Sequence, residues 1–166
     1  QACFCLEVSN ILDKAASITL LSILTIISLV DSSTMLIPVK ICNSGIFLGF
    51  LYSVLLHDYY KINVVLINLL EHLIACVVIY ILFIMINYIG RKILKTESLG
   101  HGDAMLMVLG AAWLDIGGTK IAFQIAFLAA ALYTSWARAK KKLRPKESFA
   151  FGPFISFGIW QAWIYQ

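Results

Sequence analysis

The chain of 166 residues is 61% hydrophobic and 13% charged, with a formal net charge of +4 and a mean hydropathy of +0.88. These values lie far outside those of an ordinary water-soluble domain and argue against a soluble enzyme. At roughly 20 apolar residues per crossing of a hydrocarbon layer, the length has room for about five to seven transmembrane helices and little else. The segments are apolar on all sides and do not alternate as barrel strands would. The predicted fold is therefore all-α, a polytopic transmembrane bundle of about six helices forming a single domain over residues 1–166.

The first apolar run is Ala15 to Val30, closed by Asp31 and a polar stretch leading to Pro38 and Lys40. The second runs from Ile41 to Leu56 and stops at His57-Asp58. The third, Ile62 to Ile89, is long for one perpendicular crossing and is interrupted by Glu71-His72. Leu73 to Ile89 is its expected lipid-spanning part, with Ile62 to His72 placed in the interface. A short fourth run, Ala104 to Leu114, follows Gly100-His101-Gly102-Asp103; a fifth covers Ile121 to Ala137; a sixth covers Phe149 to Tyr165 and opens with Phe151-Gly152-Pro153. No internal repeat is apparent.

Cys3, Cys5, Cys42 and Cys76 form no C-x-x-C pair, so neither a metal site nor a disulfide is assigned. No cofactor is expected. Gln1 stands where Met would start a complete chain, and no basic region with a small-residue cleavage site precedes the first run, so no signal peptide is expected.

Short loops rich in Lys and Arg stay on the cytoplasmic side. With six spans, the loops after runs one, three and five hold Lys40, Arg91, Lys92, Lys95, Arg138, Lys140, Lys141, Lys142, Arg144 and Lys146, ten of the thirteen basic residues. That bias orients the bundle with both termini outside the cytoplasm. Trp160, Trp163 and Tyr165 then fit an outer aromatic belt.

The same topology brings Asp31, at the end of run one, and Asp103, at the start of run four, to one cytoplasmic depth. Acids at the edge of a membrane bundle are costly unless paired or hydrated, which makes both functional candidates rather than plain helix-end charges. Two adjacent carboxyls sharing one proton can deprotonate a water on one side of an amide and protonate its carbonyl on the other, with no metal or covalent nucleophile. Asp103 begins a helix and Asp31 ends one, so the dipoles of their own helices favour Asp103 as base and Asp31 as acid. Glu71-His72 reads as a solvated pair, Asp115 as an interfacial turn residue, and Arg138 to Lys146 as a loop attracting anionic lipid. Nothing accompanies that charge to suggest a nucleic-acid surface.

Three ordered motifs carry a family resemblance. Asp31 is followed after five residues by Ile37-Pro38. Glu97, Leu99, Gly100, Gly102, Asp103, Leu106, Gly110 and Ala111 fit E-x-[LM]-G-x-G-D-x-x-L-x3-G-A, and Phe151-Gly152-Pro153-Phe154 precedes the last run. Together they resemble the type IV prepilin peptidases, the GxGD-class intramembrane aspartyl proteases. The resemblance implies a bacterial inner-membrane enzyme that removes the basic leader of prepilin or pseudopilin substrates on the cytoplasmic side, with Asp31 and Asp103 as the catalytic pair. It implies Pro38, Glu97, Gly100, His101, Gly102, Phe151, Gly152 and Pro153 as substrate-binding or active-site lining residues. Partners are then pilin-like precursors and membrane lipids, with no nucleic acid. Val39, Met105 and Ala150 depart from the family's usual residues. The cysteine-rich segment linked in many members to N-methylation has no counterpart in the sequence, so protease chemistry is expected without assured methyl transfer. An inactive paralogue assisting pilin assembly and a small proton-coupled transporter are the alternatives.

Overall fold

The computed structural model describes residues 2–55, 62–94, 100–140 and 149–165. Among them are six helices: α1 (Ala2–Thr34), α2 (Val39–Leu55), α3 (Ile62–Leu94), α4 (His101–Trp113), α5 (Ile116–Ala139) and α6 (Gly152–Ile164). The chain is an all-α membrane bundle, as its hydropathy requires. Spans long and apolar enough to cross a membrane lie in α1 (Ile11–Thr34), α3 (Val65–Lys92) and α5 (Ile116–Ala139). The even-numbered helices are shorter: the apolar stretch of α2 is Val39–Val54, and α4 and α6 have 13 residues each. Long and short helices therefore alternate along the chain.

Several boundaries differ from the sequence reading: α1 begins at Ala2 rather than Ala15, and α5 at Ile116 rather than Ile121. Glu71-His72 does not divide the third run, since α3 continues unbroken from Ile62 to Leu94. Neither residue breaks a helix, and Glu is a good helix former. Glu71 points outward, while the His72 ring turns inward to bring Nδ1 to 3.4 Å from the Ala111 carbonyl oxygen of α4. The outward face of α3, with Val77, Val78, Ile81, Ile84 and Met85 all about half exposed, offers apolar side chains to lipid rather than to protein.

α4 is the central post. Leu106, Met107, Leu109, Ala111 and Ala112 are wholly inaccessible, although α4 is among the shortest helices. Lipid tails supply no hydrophobic drive for helices to associate, so close packing through small residues has to hold a membrane bundle together. Small residues mark the contacts here. A Cβ on Gly45 of α2 would lie 2.5 Å from Leu109 Cδ1, and one on Gly110 would lie 2.6 Å from Ile159 of α6. One on Gly158 of α6 would lie 2.4 Å from the Ala122 carbonyl oxygen of α5. Ala122, Ala126 and Ala130, one helical turn apart, form the buried stripe of α5.

The two ends of the bundle differ in chemistry. At one end Tyr52 of α2, Trp113 of α4 and Trp163 of α6 cluster with ring centroids 5.4 to 5.9 Å apart, Tyr52 stacked on Trp113 and Trp163 edge-on to Trp113. α1 closes this cluster through two hydrogen bonds: the Tyr52 hydroxyl donates to Asp13 Oδ1 at 3.0 Å, and Trp163 Nε1 donates to Ser17 Oγ at 2.9 Å. Trp163 thus faces inward, whereas Tyr165 is 77% exposed. At the opposite end the C-terminus of α1 meets the N-termini of α2, α4 and α6, and the acidic residues of interest lie there.

Candidate active site

Asp31 sits one turn before the end of α1 and is only 4% exposed. The helix stops four residues later at Met35, whose N–H donates to the Asp31 carbonyl oxygen at 2.8 Å and whose φ is 53°. A left-handed residue in this place commonly ends a helix, but Gly usually supplies it, because a side chain there costs about 1 kcal/mol. The turn sends the chain back through Ile37 to Pro38, whose carbonyl oxygen accepts from the N–H groups of Ile41 and Cys42 as α2 begins.

The α4 end is built around Gly100. Asp103, in the first turn of α4, reaches back so that Oδ2 accepts the Gly100 N–H at 2.9 Å, the side-chain half of a capping box. Gly102 has a different task. A Cβ at this position would lie 2.7 Å from Ile37 Cβ, so its bare backbone lets the α1–α2 turn press against the first turn of α4. That contact draws the Asp31 and Asp103 segments together. His101, between the two glycines, is exposed.

The third segment is held by aromatic rings. Phe151 packs edge-on against Phe127 of α5 at 5.2 Å and against Phe149 at 6.2 Å, while Phe154 meets Tyr133 at 5.3 Å. The Phe151 carbonyl oxygen accepts from the N–H groups of Phe154 and Ile155. Pro153 stands in the first turn of α6, where its missing N–H costs nothing. This anchoring aims the first N–H of α6 at Asp31: Gly152 donates to Asp31 Oδ2 at 2.8 Å in a buried setting. A Cβ on Gly152 would stand 2.7 Å from that same oxygen. Only glycine permits so close an approach.

Each carboxylate thus has one oxygen tied to a backbone N–H at a helix N-terminus. Among the described residues neither Oδ1 has a hydrogen-bond partner. The two groups also sense each other electrostatically. Asp103 is pushed up to about 6, first by burial and further by the charge of Asp31, with the Gly100 N–H pulling the other way.

Of the residues singled out in the sequence, Asp31, Pro38, Gly100, His101, Gly102, Asp103, Phe151, Gly152 and Pro153 all belong to these three segments at one end of the bundle. Glu97 lies outside the described residues. The helix-end assignment of acid and base considered only the helix that each Asp belongs to. The structure adds the positive end of α6 at Asp31, and that end favours an anion there. Sequence reasoning passed over Met35, for which no glycine gives a cue. Asp115, read as a turn residue, is the N-cap of α5 and accepts the Gly118 N–H.

A model of the type IV leader peptidase family matches residues 18–135. The chain belongs to that family. It is 25% identical over 142 residues to a prepilin leader peptidase/N-methyltransferase of Pectobacterium carotovorum subsp. carotovorum, covering 86% of this chain and 48% of that protein. The chain therefore spans about half the length of this curated relative. No solved structure matches the chain. The matched region of this leader peptidase homologue contains Asp31 and Asp103 and ends before the Phe-Gly-Pro segment.

Proposed function

We propose that this membrane protein is an aspartyl endopeptidase that removes the basic leader from prepilin-like precursors at the cytoplasmic interface. Asp31 and Asp103 activate one water between them. The observation carrying this reading is the approach of two carboxylates from distant parts of the chain, each holding a backbone N–H with one oxygen and leaving the other for solvent or substrate.

The pair works with one shared proton. Like charges close together split their titration into two steps, so the half-protonated state spans a window of pH. The α6 N-terminus favours the anion on Asp31, and burial next to that charge favours the proton on Asp103. Asp31 then takes a proton from the attacking water while Asp103 gives its own to the carbonyl oxygen. When the tetrahedral intermediate collapses, the leaving amine collects the proton held on Asp31, and Asp103 is reprotonated as the carbonyl reforms. No group other than water is consumed.

This assignment fixes the sign of a pH effect. Asp103 loses its proton at about 6 in the free enzyme, so with Asp103 as the acid kcat/KM should fall as pH rises through that region, and the other ionisation of the pair should give a second limb. A rising limb near pH 6 would make Asp103 the base instead, and a profile with one ionisation would remove the coupled pair. The function itself is tested by reconstituting the chain in liposomes with a prepilin-like substrate. Release of the leader is expected; ion flux without cleavage would favour a transporter.

A further inference from the structure

Among the described residues, Cα atoms of α1 and α4 nowhere come within 8 Å of each other, whereas α2 and α6 pack against both. The separation of Asp31 on α1 and Asp103 on α4 is therefore set through intermediaries. One is the turn between α1 and α2, which is tightly constrained. Thr34 Oγ1 donates to the Val30 carbonyl oxygen at 2.8 Å and accepts the Leu36 N–H at 3.3 Å, tying the last turn of α1 to the residue after Met35. Met35 itself is held in the left-handed region. Ile37 has a β-branched side chain that restricts χ1, and the proline after it confines its backbone to extended angles. Pro38 has a fixed φ, and its carbonyl oxygen starts α2. Few free rotations remain between Asp31 and α2.

Ile37 is the part of this turn that meets α4. A Cβ on Gly102 would lie 2.7 Å from Ile37 Cβ and 3.5 Å from both its Cα and its Cγ1. The atoms at the contact are those nearest the backbone, and they cannot swing aside as the end of a long side chain would. Neither neighbour can recoil. Ala104 and Leu106 bury the start of α4 in the core, and on its other side Asp31 is fixed by the Gly152 N–H at 2.8 Å.

Resting on the peptidase reading above, we propose that Ile37 is a positioning residue whose Cβ, seated on Gly102, sets the separation of Asp31 and Asp103. The turn acts as a spacer of fixed length. With the acids nearer, the water between them loses its room; with the acids farther apart, one water no longer reaches both, and the sharing of a proton that makes one acid and one base weakens. The other ionisable side chains at this end, Lys40, Arg91, Lys92, His101, Arg138 and Lys140, are exposed, and α6 carries none. Solvent screens those charges, so the coupling of the two acids reports mainly their spacing.

The test uses the full chain in liposomes. Gly102→Ala pushes the turn outward and should lower kcat about tenfold or more, with a smaller change in KM. The two limbs of its kcat/KM profile should draw together by roughly half a pH unit or more, because acids farther apart are less coupled. Adding Ile37→Gly removes the Cβ that the new methyl meets, leaves Cα at 3.5 Å, and should recover most of both losses. Ile37→Ala keeps that Cβ and should recover neither. Recovery with Ile37→Ala, or none in a folded Ile37→Gly, Gly102→Ala protein, would overturn the proposal. So would a Gly102→Ala enzyme with full rate, or one whose rate falls while its limbs stay where they were. Should the added methyl unfold the chain, Ile37→Gly alone lets the turn settle nearer α4 and should widen the separation of the limbs, whereas Ile37→Ala alone should not; equal effects would overturn the spacer. Infrared titration of the two carboxyls, assigned with Asp31→Asn and Asp103→Asn, separates this idea from the peptidase reading. A narrowed separation in Gly102→Ala of a chain that cleaves nothing keeps the spacer and defeats proteolysis. Cleavage with an unchanged separation defeats the spacer alone, and the absence of both results overturns both ideas.

Discussion

Gly152→Ala should reduce kcat/KM roughly 100-fold or more while leaving the bundle folded. The added methyl would stand 2.7 Å from Asp31 Oδ2, 3.0 Å from Cγ and 3.1 Å from Cβ, so relief requires the carboxyl to move by several tenths of an ångström. Asp31 is buried on a short side chain and has little room to turn aside. A displacement approaching 1 Å in a reacting group can cost about two orders of magnitude in rate. The cost in stability should be smaller, about 1–3 kcal/mol, as for other overpacked sites. Gly158→Ala provides the contrast. Its methyl would meet the Ala122 carbonyl oxygen at 2.4 Å and the Ala126 nitrogen at 3.1 Å, which are backbone atoms far from the acids. That variant should lose stability first and rate second. Removing the obstructing carboxyl gives a further check: in an Asp31→Ala background, Gly152→Ala should cost measurably less stability than in the parent, read by unfolding in detergent as a double-mutant cycle. An additive result would mean that the glycine serves only the start of α6.

Asp31→Asn and Asp103→Asn should each lower cleavage by about 10²–10⁴-fold, the usual scale for losing a general acid or base. The double variant should be little worse than either single one, because groups acting as a unit are not additive. The Asp103 variant should also carry a signature in stability. Asp103 rises from 3.8 to about 6 on folding, so the native state holds its proton more tightly than the unfolded state. Stability contributed by that proton is fully present below about pH 4 and is lost as pH rises to about 6. Asn keeps an acceptor for the Gly100 N–H and carries no charge. Asp103→Asn should therefore match the parent near pH 4 and exceed it by about 1–3 kcal/mol at pH 7.5. Equal stability at both values would mean that Asp103 is hydrated and unstrained. Full cleavage by both single variants would remove the two-carboxylate mechanism.

Much of this arrangement was legible before any coordinates, and the reason is physical. Apolar runs long enough to be helices in lipid leave few alternatives, so all six helices could be marked to within a few residues at most ends. The short fourth helix is the instructive case. Ala104 to Leu114 reads from the sequence only as a short run, and α4 is the most enclosed part of the bundle. Hydropathy cannot separate a helix surrounded by lipid from one surrounded by protein, because both environments are apolar. The glycines told more than their spacing alone suggested: Gly102 and Gly152 lie where backbone must pass against Ile37 and Asp31. What composition and periodicity could not supply was the direction of single groups across the chain. Nothing local to Asp31 announces that an N–H of residue 152 points at it, and the helix-end argument therefore assigned acid and base from half of the field. Nor does a serine in an apolar run reveal whether it bonds back to its own helix, as Ser22 does, or remains unpartnered, as Ser156 does.

The alternation of long and short helices bears on the lipid itself. Thirteen residues of α4 extend about 20 Å, some 10 Å less than the hydrocarbon thickness of a typical bilayer. The N-terminus of α6 lies level with Asp31, one turn from the end of α1, and its C-terminal Trp163 lies level with Ser17, well inside the span that begins at Ile11, so the missing length falls at the aromatic end of the bundle. Local thinning of the leaflet around the short helices is therefore expected beside Trp113 and Trp163, and the two acids stay level with the membrane surface whatever the acyl-chain length.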